Sequence, residues 1–195
     1  MYNPQMLDIE DSAARSGRLT YDDWLALDHS GGLHEIVDGA LVVTSWPSPR
    51  HQRVVGRLHV AIATYLETQP IGEVLVAPLG VVLSLFDVVE PDVLFVSASR
   101  ASIVTEQAVH GAPDLVVEVL SPTTSYRDLG EKLALYEKSG VLEFWAVDPD
   151  AQVVRVFRRR EDALSPSATL AVGTAITLST HLLPSLQIDL SQLFR

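Results

Sequence analysis

The sequence contains no cysteine and very little lysine, and both absences restrict the chemistry open to this chain. Without cysteine it can form neither disulfide bonds nor thiolate metal sites, so carboxylate and imidazole groups are its only strong metal ligands. Those ligands favour a hard ion such as Mg²⁺ or Mn²⁺. Lysine supplies only two of the 14 basic residues, so it is not the usual source of positive charge here.

A long uninterrupted apolar run is also missing. The longest, residues 74–86, is broken by Pro78 and Gly80 and is shorter than the roughly 18 residues that a membrane helix needs. The chain starts with Met1-Tyr2-Asn3-Pro4, which lacks the basic and apolar regions of a secretory signal. We therefore expect a cytoplasmic protein that does not enter a membrane.

Positive charge is scarce as well, because the formal net charge is −11. Affinity for a phosphate backbone comes largely from Lys and Arg, so this balance argues against diffuse attraction to nucleic acid. The acids are concentrated in residues 1–40, however. Local basic faces can still exist on the rest of the chain.

Length and apolar content together predict one sizeable core. With 195 residues and 47% hydrophobic residues, the chain is expected to form a single domain at 19–195 after a polar tail at 1–18. Thr20 and Asp23 form a capping-box pattern that predicts a short helix, and Asp38-Gly39 predicts the turn of a β-hairpin. Ser48-Pro49 predicts the start of a long helix that ends near Gln69.

The rest of the chain alternates between strand-like and helix-like patterns. Predicted strands cover about 73–77, 79–85, 91–96 and 114–120, a helix covers 126–139, and further strands cover 142–147 and 153–157. Short pieces at the C-terminus are expected to join the same core. This order predicts an α/β fold with a mixed β-sheet flanked by helices, plus an N-terminal helix and a β-hairpin as additions.

Two spaced carboxylates are the most informative feature of the sequence. Asp92 follows Pro91 at the start of one β-branched strand, and Glu118 lies deep in the next. Burying both acids is costly unless they bind a shared cation, so together they suggest a metal site. Alternatively, Asp92 only begins a strand and Glu118 pairs with a core arginine. Asp114 has the same strand parity as Glu118, but its place directly after Pro113 favours a solvated strand end.

The helix after this strand carries Lys132. Its start is predicted by Ser125 as N-cap with Asp128 as the capping-box partner, and its end by Gly140. Asp, Glu and Lys near one another form a chemical set suited to metal-assisted phosphodiester hydrolysis. The alternative is a surface lysine that pairs with Asp128 at spacing i,i+4.

Two further features of the long helix are each open to a functional and to a structural interpretation. His51 falls on the apolar stripe of the long helix and is either a hydrogen-bonded core histidine or an additional site residue. Arg50, Arg53 and Arg57 lie along one flank of that helix and form either a solvated face or a set of phosphate contacts.

Several motifs in the same order resemble the PD-(D/E)XK nuclease superfamily, and more closely its Uma-two family of restriction-endonuclease-like proteins. The resemblance covers about residues 20–194. It is carried by residues 34–39, 48–51, 90–93, 112–122, 128–136 and 144–148.

This resemblance implies a divalent-metal-dependent DNA endonuclease that uses Mg²⁺ or Mn²⁺. Asp92 and Glu118 would hold the metal with the backbone carbonyl of Val119. Glu35, which could otherwise be an exposed acid before the hairpin, looks like the acid that completes the site through a water molecule. A homodimer is expected, because a duplex has two strands to cut and two-fold assemblies are the commonest.

The chain departs from the superfamily pattern at one position. Leu120 stands two residues after Glu118, where the superfamily has a lysine on the same strand face. Lys132 looks like a migrated catalytic lysine, and the resemblance assigns it the role of positioning or deprotonating the attacking water. Two other functions remain open: a nuclease-like scaffold that binds a partner without cutting, and a small-molecule phosphohydrolase, which suits the negative charge better.

Overall fold

The computed structural model describes residues 17–121, 128–175 and 177–195, without the side chain of Asp128. Nearly all of the predicted tail at 1–18 and the predicted N-cap Ser125 lie outside the described residues. No helix in the described ranges is long and apolar enough to cross a membrane.

The described residues form thirteen strands and a smaller number of helices. The helices are α1 (Tyr21–Leu25), α2 (Pro49–Thr68), a 3₁₀ segment (Ala98–Ile103), α3, in which a π-helical turn (Asp128–Lys132) continues into an α-helix (Leu133–Ser139), and α4 (Leu190–Leu193). The strands are β1 (Leu33–Val37), β2 (Ala40–Thr44), β3 (Gly72–Val76), β4 (Val81–Ser84), β5 (Asp87–Val89), β6 (Val93–Ser97), β7 (Val109–His110), β8 (Leu115–Val119), β9 (Glu143–Asp148), β10 (Val153–Arg160), β11 (Ala163–Ala171), β12 (Thr177–Leu178) and β13 (Ile188–Asp189).

These strands form two main sheets and a two-stranded ribbon. The larger sheet has the order β11-β10-β9-β8-β6-β3, the smaller one β2-β1-β5-β4-β7, and the ribbon pairs β12 with β13. Both main sheets are mixed: β8 runs parallel to β9, and β4 runs parallel to β7. The predicted α/β fold with a mixed sheet flanked by helices is confirmed, and the β-hairpin predicted as an addition belongs to a second mixed sheet.

The capping signals fold as the sequence predicts. The Thr20 side chain accepts from the Asp23 amide, and Asp23 reciprocates, so α1 begins with a complete capping box. Asp38 and Gly39 both have positive φ, which a tight hairpin turn between β1 and β2 requires. Gly140 ends α3 in the left-handed conformation. These local signals set where the elements start and stop.

The larger sheet is covered on both faces, and the alternation of its side chains decides what each face meets. Val93 and Val117 point into a core shared with α2 and the C-terminal segment. Leu94, Val116 and Leu120 point to the opposite face, where they meet α3 and strands of the smaller sheet. This second face is the one on which Glu118 must lie, because it has the parity of Val116 and Leu120.

Three strands were missed by the sequence patterns. β5 and β7 have only three and two residues, which is too few to show an alternation of apolar and polar side chains. β11 contains Pro166 and two serines, which read as loop residues. Proline is tolerated there because β11 is the edge strand of the larger sheet, where a missing N–H removes no interior ladder bond.

Candidate active site

The candidate site lies where the chain passes from the smaller sheet into the larger one. β5 ends at Val89 and β6 begins at Val93, and only Glu90, Pro91 and Asp92 connect them. All three connecting residues are buried. A short buried connection with two carboxylates places acids between the sheets, where they need partners.

Asp92 is contacted by the backbone of β8 and by a side chain of α2. In the antiparallel pairing of β6 with β8, Val93 lies opposite Val117, so Asp92 is next to Glu118 in the same register. The Val119 amide donates to Asp92 Oδ2 at 2.7 Å. His51 Nε2, from the first turn of α2, lies 3.2 Å from the same oxygen.

Glu118 is contacted from above its sheet face by two side chains of α3. Lys132 Nζ lies 2.7 Å from Glu118 Oε1, and the Tyr136 hydroxyl donates to that oxygen at 2.5 Å. The two donors are four residues apart and therefore project from one side of the helix. Glu118 and Lys132 are each only 4% exposed, and Tyr136 is fully buried.

Glu35 reaches the same ammonium group from the smaller sheet. On β1, Ile36 packs against α1, whereas Val37 packs towards the core beneath α3. Glu35 has the parity of Val37, and its Oε1 lies 2.7 Å from Lys132 Nζ. The Glu90 amide also donates to this Glu35 oxygen, at 3.0 Å. Lys132 thus links acids from both main sheets.

Negative charge accumulates at this junction. Glu90 adds a further buried carboxylate, whose Oε2 accepts the His34 amide at 3.0 Å. Burial raises the pKa of Glu90 above its ordinary range, and the negative charge of Glu35 acts in the same direction. The Tyr136 pKa is raised well above 10.0, chiefly by burial and then by the charge of Glu118, so this hydroxyl remains a donor at neutral pH.

The chemistry of this donor set fits a hard divalent cation. Asp92 and Glu118 present carboxylate oxygens from neighbouring strands, and Mg²⁺ typically uses one or two carboxylates and keeps several waters. Among the described residues, no group of three or more acidic or histidine side chains is arranged to hold a metal ion.

The structure decides several alternatives that the sequence leaves open. Lys132 is buried between carboxylates, which excludes an ordinary surface lysine, and Glu35 is buried rather than exposed. The expectation of a solvated Asp114 is wrong. Asp114 is 4% exposed and is bonded to Arg100 Nη1 at 3.1 Å and to the Ser97 amide at 2.8 Å. Its local position after Pro113 could not show that Arg100 folds back over it.

The three α2 arginines do not converge on the acids. Arg50, next to His51, donates to Asp150 and to the carbonyl of Pro149, both at 2.7 Å. Arg57 donates to the carbonyls of Leu193 and Arg195, whereas Arg53 is exposed. Since α2 rises about 1.5 Å per residue, Arg57 lies roughly 9 Å along the axis from His51.

Sequence reasoning missed Glu90 and Tyr136. Glu90 directly precedes Pro91-Asp92, and Tyr136 follows Lys132 by one helical turn, so both had a positional signal. Neither signal indicated a contact with the site. Tyr136 in particular also fits the apolar stripe of α3, which is explained by packing alone. Its ring does pack beside Phe144, with centroids 5.4 Å apart.

Comparisons with known proteins identify the family and the fold of this chain. No curated protein matches the sequence. A solved structure described as "a putative nuclease belonging to DUF820", from Anabaena variabilis, is similar in fold, with a TM-score of 0.75 and 21% sequence identity. The match covers 90% of this chain and 97% of that one. The model of the Uma2 family, described as "Putative restriction endonuclease", matches residues 20–191, and the chain therefore belongs to the Uma2 family of restriction-endonuclease-like nucleases.

Proposed function

We propose that this protein is a divalent-metal-dependent endonuclease that hydrolyses DNA phosphodiester bonds. The observation that carries the proposal is the meeting of Glu35, Glu118 and Lys132 from separate elements, next to Asp92. A buried acid that serves only stability is expected to have a cation of its own, as Asp114 has in Arg100. Here one ammonium group serves two acids, and a third acid lies beside them.

Each residue has a role that follows from its position. Asp92 and Glu118, with the Val119 carbonyl, would hold Mg²⁺ or Mn²⁺, which supplies Lewis acidity towards the phosphate and a water molecule when bound. Lys132 would orient the attacking water or neutralise charge that develops on the phosphate. Glu35 would keep the ammonium in place. His51, bonded to Asp92, would hold that carboxylate in one orientation.

The substrate class is tested by one set of incubations. Plasmid DNA, single- and double-stranded oligonucleotides and mononucleotides are incubated with Mn²⁺ and, separately, with a chelator. We expect cleavage of polynucleotides with Mn²⁺ and none with the chelator. Turnover of mononucleotides alone would instead support a phosphohydrolase, which the net charge of −11 favours. Metal binding without cleavage of any substrate would support a partner-binding scaffold.

Two variants make the assay specific to the site. Asp92→Ala should abolish cleavage. Asp114→Asn is the matched control, because it alters a buried acid at the other end of β8 that is bonded to Arg100. Equal activity of wild type and Asp92→Ala would refute the proposed active site.

We extend the proposal to the functional unit. Residues 19–195 would act as a single domain within a homodimer, since two copies related by a two-fold axis match the two strands of a duplex. Sedimentation of the purified protein would distinguish a dimer from the 21.3 kDa monomer.

A further inference from the structure

Tyr136 contacts the candidate site but has no part in the function proposed above. It is fully buried in the core beneath α3, and its ring contacts Phe144 there. Packing alone would be served by phenylalanine. A buried hydroxyl needs a hydrogen-bond partner, and this one donates to Glu118 Oε1 at 2.5 Å.

The same carboxylate oxygen receives Lys132 Nζ at 2.7 Å. Two donors from successive turns of one helix therefore converge on a single oxygen, which restricts rotation of the carboxylate about its terminal bond. Lys132 is also shared with Glu35, so its position depends on both main sheets. The Tyr136 hydroxyl, in contrast, joins α3 to β8.

We propose that Tyr136 is a positioning residue that holds the Glu118 carboxylate in the orientation required for cation binding. This inference rests on the proposed role of Glu118 as a metal ligand. Hydrogen-bond partners of metal-binding carboxylates typically contribute 10–100-fold to metal affinity, which sets the expected size of the effect.

The test is Tyr136→Phe, which removes the hydroxyl and keeps the ring. Its matched control is Tyr65→Phe on α2. This change removes a hydroxyl that donates to the Pro184 carbonyl at 2.8 Å. Mn²⁺ affinity is measured by calorimetry on the folded proteins, and folding by circular dichroism. We expect Tyr136→Phe to weaken Mn²⁺ binding by about 10-fold or more. Tyr65→Phe should bind Mn²⁺ as wild type does.

Other outcomes are distinguishable. Tyr136→Phe with wild-type Mn²⁺ affinity would overturn this inference alone, even if its melting temperature fell, because a purely structural hydroxyl changes stability and not the affinity of the folded state. Failure of Tyr136→Phe to fold would likewise assign the hydroxyl to stability and overturn the inference. A wild-type protein that binds no Mn²⁺ would refute the metal site of the proposed function as well.

Discussion

At the scale of single residues, the partners of a buried acid distinguish the candidate site from structural ion pairs. Glu143 is completely buried, yet it accepts from Trp145, Arg158 and Thr180 and is satisfied within its own neighbourhood. Glu118 instead depends on α3, from which both Lys132 and Tyr136 reach it. Burial alone therefore does not identify a catalytic acid.

Lys132 gives the sharpest prediction at this scale. Lys132→Ala leaves Glu35 and Glu118 buried without their shared ammonium, so the free energy of unfolding should fall by about 3–5 kcal/mol in urea titrations. Cleavage should fall by about 10²-fold or more, as expected for a missing acid–base or charge-stabilising group. Lys132→Arg should not restore it, because a guanidinium is bulkier, planar and effectively never deprotonated.

Lys138 is the matched control for this prediction. It lies on the same helix but is exposed. Lys138→Ala should change the free energy of unfolding by no more than about 0.5 kcal/mol and leave cleavage intact. Wild-type cleavage by Lys132→Ala would refute the role of this lysine, and Leu120 offers no replacement on the strand.

The raised pKa of Glu90 predicts that the stability of the protein depends on pH. Its pKa is raised in the folded protein, so the folded state binds this proton more tightly than the unfolded chain does. Its contribution to stability is therefore fully present below the ordinary value of 4.5 and is lost as the pH rises through the higher folded pKa. Glu90→Gln keeps an oxygen acceptor for the His34 amide but cannot ionise.

The two proteins are compared by urea titration in chelator between pH 4 and pH 8. We expect the stability of Glu90→Gln relative to wild type to increase with pH across this window. A difference that stays constant with pH would show that Glu90 ionises in the folded protein as it does in the unfolded chain.

At the scale of elements, the arginine flank of α2 both holds the C-terminal segment and lines a groove beside it. Arg57 ties the carbonyls of Leu193 and Arg195 to the helix, and so holds the C-terminal segment in place. Arg53 is exposed, and together with Arg57 lines a groove of about 550 Å³ against that segment. The flank predicted to bind phosphate is thus partly committed to the fold.

The arginines can be separated by single substitutions. Arg53→Ala should reduce the log–log salt slope of DNA binding by about 0.9 if it makes one phosphate contact. Arg57→Ala should mainly lower the free energy of unfolding, by about 1.5 kcal/mol, because it removes charged hydrogen bonds to two carbonyls. An unchanged slope for Arg53→Ala would assign this arginine to solubility.

At the scale of the whole molecule, the site depends on how the two main sheets meet. The connection from β5 to β6 brings Asp92 into the larger sheet, and β1 contributes Glu35 from the smaller one. A cation that binds only this assembled state stabilises it by RT ln(1 + [L]/Kd). The proposed cation binding would therefore be linked to folding through the same junction.

Thermal denaturation in Mn²⁺ and in chelator measures this linkage. At a Mn²⁺ concentration about 100 times Kd, the wild-type protein should gain roughly 2.7 kcal/mol. Asp92→Ala and Glu118→Ala should each lose this gain, whereas Asp114→Asn should retain it. Equal stabilisation of all four proteins would place the cation site elsewhere.

Local sequence signals determined much of the fold. The capping box at Thr20, the hairpin turn at Asp38-Gly39 and the glycine stop at Gly140 act within a few residues, so their patterns can be read directly. Residue types and their order along the chain singled out Asp92, Glu118 and Lys132 as candidates, and the resemblance to the Uma-two family assigned them roles. This is possible because motif order is a property of the chain.

Only the tertiary structure decided which side chains share a site. The contact between Glu35 and Lys132 joins residues that are far apart in sequence, and it depends on the packing of the smaller sheet against α3. Asp114 and Glu118 have the same strand parity, yet Arg100 covers one and α3 covers the other. Periodicity specifies the face on which a side chain lies, whereas its partner is set by which element packs on that face, and this depends on long-range burial that no local pattern records.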